Sequence, residues 1–260
     1  MLIFKRILNF KSALGIGDKR DDTRHPVGAK FPLKARLTLA GRDNDGLVIK
    51  GADNHPTDWS GQLIDMSTSG VSLRLHPAAL GERGEQCRLR LECAQHVLEV
   101  DAQISHYRPG KHYATCGLAL KFPDSHAEKA YRQLVEPVAI GSGLEPKKVK
   151  QDVPDLKKEQ YADGKKNVLN VWREQSGKIV EQFELLTHDY FIRGSAQAPD
   201  LQVGYQDGVK VGAKVSSLAQ PISLTSSQVA EVRQLFQLIV PNLPKTVPPE
   251  VHAFLERFAR

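Results

Sequence analysis

The chain has 260 residues, 40% of them apolar, and a formal charge of +6 from 36 Lys and Arg against 30 Asp and Glu. That apolar share supplies buried cores and excludes disorder throughout, and the length allows one large domain or two of ordinary size. No apolar run approaches the roughly 18 residues of a spanning helix, and three cysteines without CxxC spacing, Cys87, Cys93 and Cys116, speak against a disulfide scaffold or a zinc site.

Residues 1–17 begin with Leu2, Ile3, Phe4, Ile7, Leu8 and Phe10 among Lys5, Arg6 and Lys11, an amphipathic segment. It lacks a small-residue cleavage site. Packing onto a folded domain is the expected fate of this candidate helix; contact with an anionic membrane is the alternative that its short length weighs against. The expected setting is therefore the cytoplasm, where the thiols stay reduced and packed.

From residue 31 to 122 short alternating segments follow one another: Leu33 to Leu39, Gly61 to Ile64, Val71 to Leu75, Cys87 to Leu91, Val97 to Ile104 and Cys116 to Phe122. Their period of two and their regular spacing predict strands of a small barrel or sandwich. Residues 41–56, rich in Gly, Asp and Asn, read as an insertion between strands with a short strand at Leu47 to Ile49. Ser125 with Glu128 forms a capping box before Ala127, Ala130, Tyr131, Leu134 and Val135, which predicts a helix ending before Pro137.

Residues 138–166 hold Lys147, Lys148, Lys150, Lys157, Lys158, Lys165 and Lys166 among Gly and Pro, the composition of a solvated linker. No arginine or aromatic interleaves these lysines before Tyr161, which disfavours a nucleic-acid surface. Residues 167–260 resume with a hairpin, Val168 to Glu174 and Ile179 to Leu186 around Gln-Ser-Gly-Lys, and with strands at Tyr190 to Arg193, Leu201 to Tyr205, Val209 to Val215 and Ile222 to Leu224. Thr225 and Gln228 form a second capping box, and a last helix starts near Pro249, so an α+β domain of its own is expected. No internal repeat is present.

Two segments carry chemistry. Arg20-Asp21-Asp22-Thr23-Arg24 places two guanidinium groups four residues apart, on one face in either a helical or an extended segment. Asp65-Met66-Ser67-Thr68-Ser69-Gly70 falls at a strand-to-strand turn, where a carboxylate, a hydroxyl and a glycine meet. A guanidinium matches a phosphate or the O6/N7 edge of guanine, while a carboxylate accepts from guanine N1 and N2. Ser67 can donate to a phosphate or a base acceptor, and Gly70 either admits a close backbone approach or takes a positive φ. No P-loop, acidic metal cluster, Gly-x-Ser-x-Gly or His-Glu-x-x-His is present, so neither triphosphate chemistry nor another catalytic role is indicated. His106 and His112 read as exposed turn histidines rather than metal ligands, and Arg74 and Arg108 as ordinary strand arginines.

In this order and strand context, Arg-x-x-x-Arg, Asp-x-Ser-x-x-Gly and the closing Gly117-Leu118-Ala119-Leu120-Lys121-Phe122 resemble the PilZ domain, the bacterial receptor module for cyclic di-GMP. The resemblance covers residues 18–137 and implies a six-stranded antiparallel β-barrel with a closing helix. It implies that Arg20 and Arg24 bind bases and phosphates, that Asp65, Ser67 and Gly70 form the rest of the pocket, and that cyclic di-GMP is the ligand with no cofactor. Lys19 stands where the family sets whether one ligand or a stacked pair binds; lysine leaves the number open, although a flexible cation there reaches toward a second phosphate. The expected function is a non-enzymatic cytoplasmic receptor whose residues 167–260 relay binding to a protein partner. The alternative is a PilZ-like structural adaptor that works through protein contacts without ligand.

Overall fold

The structure, a computed structural model, describes residues 3–5, 23–43, 45–49, 55–164, 166–206 and 224–260. Arg20, Lys19, most of the N-terminal segment and the expected strand at Val209 to Val215 lie outside the described residues, as does all of the expected strand at Ile222 to Leu224 except Leu224. Contacts divide the chain into two units, with the division falling after Val138.

In the first unit, β1 (His25–Pro26), β2 (Leu33–Leu39), β3 (Thr57–Met66), β4 (Gly70–Leu75), β5 (Gln86–Cys93), β6 (His96–Arg108) and β7 (Ala114–Lys121) are followed by α1 (Ser125–Gly143). The strands run in the order β3-β2-β5-β6-β7-β4, and β4 pairs back onto β3, so six antiparallel strands close a barrel. The period of two in the sequence explains the closure. Along β2, Leu33, Ala35, Leu37 and Leu39 point inward while Lys34 and Arg36 are exposed. Leu37, Leu73, Leu89, Leu91 and Ile104 fill the interior with almost no exposed surface. Cys87, Cys93 and Cys116 are free and buried there, and burial pushes the Cys87 and Cys116 thiols up to about 12.

The insertion after β2 has a defined start. Arg42 bridges Val48, donates to the carbonyls of Leu80 and Gly46, and pairs with Glu82 and Glu85 at 3.0 and 2.5 Å. The short strand expected at Leu47 to Ile49 is reduced to that single bridge, because Asp43 accepts from the amides of Asp45 and Leu47 and turns the chain.

The helix expected to end before Pro137 continues through it to Gly143. Leu134, Val135, Val138 and Ile140 are all buried, and their packing outweighs the one amide donor that Pro137 lacks. Its cap also lies one residue early: Asp124 Oδ1 accepts from the Ala127 amide at 2.7 Å, and Glu128 pairs with Arg132 instead of closing a box. Ile3 and Phe4 are buried, and their amides donate to Gln133 Oε1 at 2.6 and 3.0 Å. The Gln133 side chain also donates to the Phe4 carbonyl, and beyond residues 3–5 the expected helix lies outside the described residues.

The second unit is an open six-stranded meander, in the order β13-β12-β11-β10-β9-β8. Its strands are β8 (Glu145–Lys147), β9 (Leu156–Ala162), β10 (Val168–Glu174), β11 (Val180–Thr187), β12 (Tyr190–Ser195) and β13 (Ala198–Tyr205), with helices α2 (Ser226–Ile239) and α3 (Pro249–Phe258). The expected linker at 138–166 is therefore corrected: it supplies the end of α1 and two strands of this sheet. Lysine content misled because the β9 lysines are neutralised at the surface, Lys157 by Glu159 and Lys158 by Asp152, while Tyr161 is buried. The Thr225–Gln228 capping box forms as expected. Phe183 stacks on Phe236 at 5.4 Å and meets Phe254 and Phe258 edge-on, so both helices cover the β11 face.

Candidate functional site in the first unit

The site is assembled where β3 leaves β2. Their register ends at the Ala35–Gly61 pair, and the last residues of β3 pair with β1 instead, Pro26 against Asp65 and His25 against Met66. Pro26 restricts His25 to extended backbone, and the Val27 amide donates to the Ile64 carbonyl at 2.9 Å. These bonds fix Arg24 beside the end of β3. No periodicity marks β1, a two-residue strand that contains a proline.

Arg24 reaches across to Asp65, with Nη1 3.1 Å from Oδ1, and the same nitrogen donates to Ser72 Oγ at 2.8 Å. The Arg24 side chain is 53% exposed and that of Asp65 23%, so the pair lies open to solvent. Spacing alone did not identify Ser72, which stands outside the Asp-x-Ser-x-x-Gly pattern.

Hydrogen bonds hold the turn on both sides. The Ser67 amide donates to the Gly70 carbonyl at 2.9 Å, and the Leu120 amide donates to the Ser69 carbonyl at 2.9 Å. The Tyr131 hydroxyl of α1 lies 2.9 Å from the carbonyl oxygens of both Ser67 and Gly70. Helical spacing marks Tyr131 only as an apolar position, whereas its hydroxyl ties the helix to this turn. Ser67 is buried, with Oγ 3.4 Å from the Gly70 carbonyl. Gly70 is not among the positive-φ glycines; its role is close approach, since a Cβ there would lie 2.5 Å from the Leu118 carbonyl oxygen.

Alongside runs a groove of ≈ 310 Å³ lined by residues 27–29, by the apolar Phe31, Leu33, Ala35 and Leu63, and by Lys34, Arg36, Ser60 and Gln62. Gln62 pairs in register with Arg74, whose guanidinium lies 3.4 Å from Gln62 Oε1 and 4.4 Å from the centre of the Tyr113 ring. Lys34 and Arg36 on β2, Arg74 on β4 and Arg24 before β1 are cations on this side of the barrel, with Asp65 beside Arg24, and the guanidinium groups suit an anionic ligand with flat, hydrogen-bonding faces. His106, expected in a turn, lies within β6 with its ring over Gly117, where a Cβ would fall 1.8 Å from it. His112 is exposed beyond the strand. No cluster of His, Cys, Asp and Glu suited to a metal is present among the described residues. A larger depression in the second unit, ≈ 520 Å³, is lined by residues 151–154 with Leu156, Lys157 and Gln175 and brings together no comparable set of donors.

Among the described residues no helix is long and apolar enough to cross a membrane. The search of curated proteins gives no match. Three similar solved structures are the PilZ domain with c-di-GMP of YcgR from Escherichia coli, the PilZ domain of CeSA from a cellulose-synthesizing bacterium and the K. pneumonia MrkH–c-di-GMP complex. The first is 14% identical, covering 46% of this chain and 92% of that one with a TM-score of 0.33. The second is 16% identical, covering 44% and 95% with a TM-score of 0.30. The third is 15% identical, covering 46% and 53% with a TM-score of 0.31. Residues 18–136 match the family model of the PilZ domain, so the N-terminal half of the chain is PilZ-like and the second half lies outside the match.

Proposed function

We propose that the first unit is a receptor for cyclic di-GMP and that the chain acts without catalysis, relaying occupancy to a protein partner through residues 167–260. Arg20 and Arg24 would take the phosphates and the O6/N7 edge of guanine, and Asp65 would accept from guanine N1 and N2. Ser67 and Gly70 would shape the turn that presents Asp65, and Lys19 would meet a second phosphate when two ligands stack. The observation that carries this reading is the contact of Arg24 with Asp65 beside the cationic groove, which joins the two motifs at one open place on the barrel.

The division of labour between these residues provides the test. Arg24→Ala is expected to weaken cyclic di-GMP binding about tenfold or more, about 1.4 kcal/mol or above, within the range of about 1–3 kcal/mol for loss of a bidentate arginine contact. Asp65→Ala is expected to reduce the preference for guanine over adenine in the cyclic dinucleotide. Titration calorimetry on folded variants checks both, and variants that bind with wild-type affinity and selectivity would place the ligand elsewhere.

A further inference from the structure

Arg24 has two protein partners, and only one belongs to the recognised motif. Ser72 lies two residues past Gly70 on β4 and is 4% exposed, yet its hydroxyl is nearer to Arg24 Nη1 than the Asp65 carboxylate is. The strand register explains the convergence. A bulge between Leu63 and Asp65 brings Asp65 directly opposite Ser72 across β3 and β4. Without the extra residue the register would slip by one, and side chains of a strand change face with each such slip. One bulge therefore sets a carboxylate and a hydroxyl side by side, and a single guanidinium nitrogen lies against both.

Neither of these contacts uses the remainder of the guanidinium. Among the described residues, Arg24 Nε and Nη2 have no hydrogen-bond partner, and the side chain is half exposed. An untethered arginine must be ordered when ligand arrives, whereas one held at Nη1 is ordered beforehand and presents its free edge outward. We propose that Ser72 is a positioning residue for ligand binding: its hydroxyl fixes the Arg24 guanidinium so that Nε and Nη2 face the bound dinucleotide. This inference rests on the receptor reading.

The experiment is titration of the full chain with cyclic di-GMP in wild type, Ser72→Ala, Ser72→Thr and Arg24→Lys, together with Ser72→Ala in the Arg24→Lys background. Thermal melts establish that each variant is folded. Ser72→Ala is expected to bind about tenfold more weakly, equivalent to about 1.4 kcal/mol, and Ser72→Thr, which keeps the hydroxyl, within about threefold of wild type. In the Arg24→Lys background the alanine change is expected to cost under about threefold, because an ammonium has no planar fork to orient. Equal losses in both backgrounds would mean a general effect on the barrel and would overturn the proposal, as would unchanged or tighter binding by Ser72→Ala. Wild type that binds while Ser72→Ala matches it defeats this inference alone; wild type that does not bind defeats the receptor reading and this inference with it.

Discussion

A single carbonyl decides what Gly70 does. The Leu118 oxygen stands 2.5 Å from where a Cβ would be, so Gly70→Ala must push β7 away from β4 and is expected to cost about 1–3 kcal/mol of barrel stability. Denaturant melts measure this, and an unchanged midpoint would show that the strands yield. The glycine was recognisable in the sequence, but its purpose was not, because close approach and positive φ use the same letter. Tyr131 shows the same limit: a helical spacing marks it as core, and nothing in that spacing reveals a hydroxyl that meets the Ser67–Gly70 turn. The cysteines were read more fully. Burial raises Cys87 and Cys116 to about 12, so both stay protonated in the native barrel far above the ordinary thiol range. Their contribution to stability is complete below the unfolded thiol value near 9 and is lost as the pH rises through about 12. Alkylation at pH 8 is therefore expected only after unfolding; fast modification of the native chain would contradict the packing.

At the scale of elements, alternation located six strands because each barrel strand has one apolar face, and the barrel needs only that pattern to close. Elements stabilised by distant partners were harder to read. β8 and β9 lie in a lysine-rich stretch that looks solvated, and β1 exists only because β3 has left β2. Helix starts show what local sequence can decide. Thr225 caps α2 as its box requires, whereas at α1 the preceding Asp124 takes the role assigned to Ser125. In the second unit Arg173 joins three elements: on β10 and 2% exposed, it pairs with Glu159 of β9 at 3.1 Å and with Glu250 of α3 at 2.7 Å. Arg173→Met is expected to lower the urea midpoint of this unit, since it removes the buried cation that ties β9, β10 and α3 together. The bond from Arg173 holds the Glu250 carboxyl below its usual range. A depressed carboxyl contributes stability above its unfolded value, near 4.5, and loses it as the pH falls through the lower folded value. Urea melts from pH 7 down to 3 are expected to show this loss in wild type and a shallower one in Glu250→Gln.

For the whole molecule, length allows one large domain or two, and the structure divides the chain near the end of the PilZ-like region. The motifs speak only for the first unit, which is why a ligand is proposed for that unit and the second is left without a named partner. The proposed receptor has a thermodynamic consequence. A ligand that binds only the folded chain at a hundred times its dissociation constant adds about 2.7 kcal/mol of stability. Saturating cyclic di-GMP is therefore expected to raise the melting temperature of wild type, and to raise that of Arg24→Ala by at most about half as much at the same concentration, since a tenfold weaker site adds only about 1.4 kcal/mol. The most direct measurement is calorimetric titration of the intact wild-type chain with cyclic di-GMP beside GTP and the linear GMP dimer. Saturable binding of the cyclic dinucleotide alone, at one or two molecules per chain, is the predicted result. Absence of heat with no thermal shift, or equal binding of all three nucleotides, would contradict the receptor and favour an adaptor that works through protein contacts.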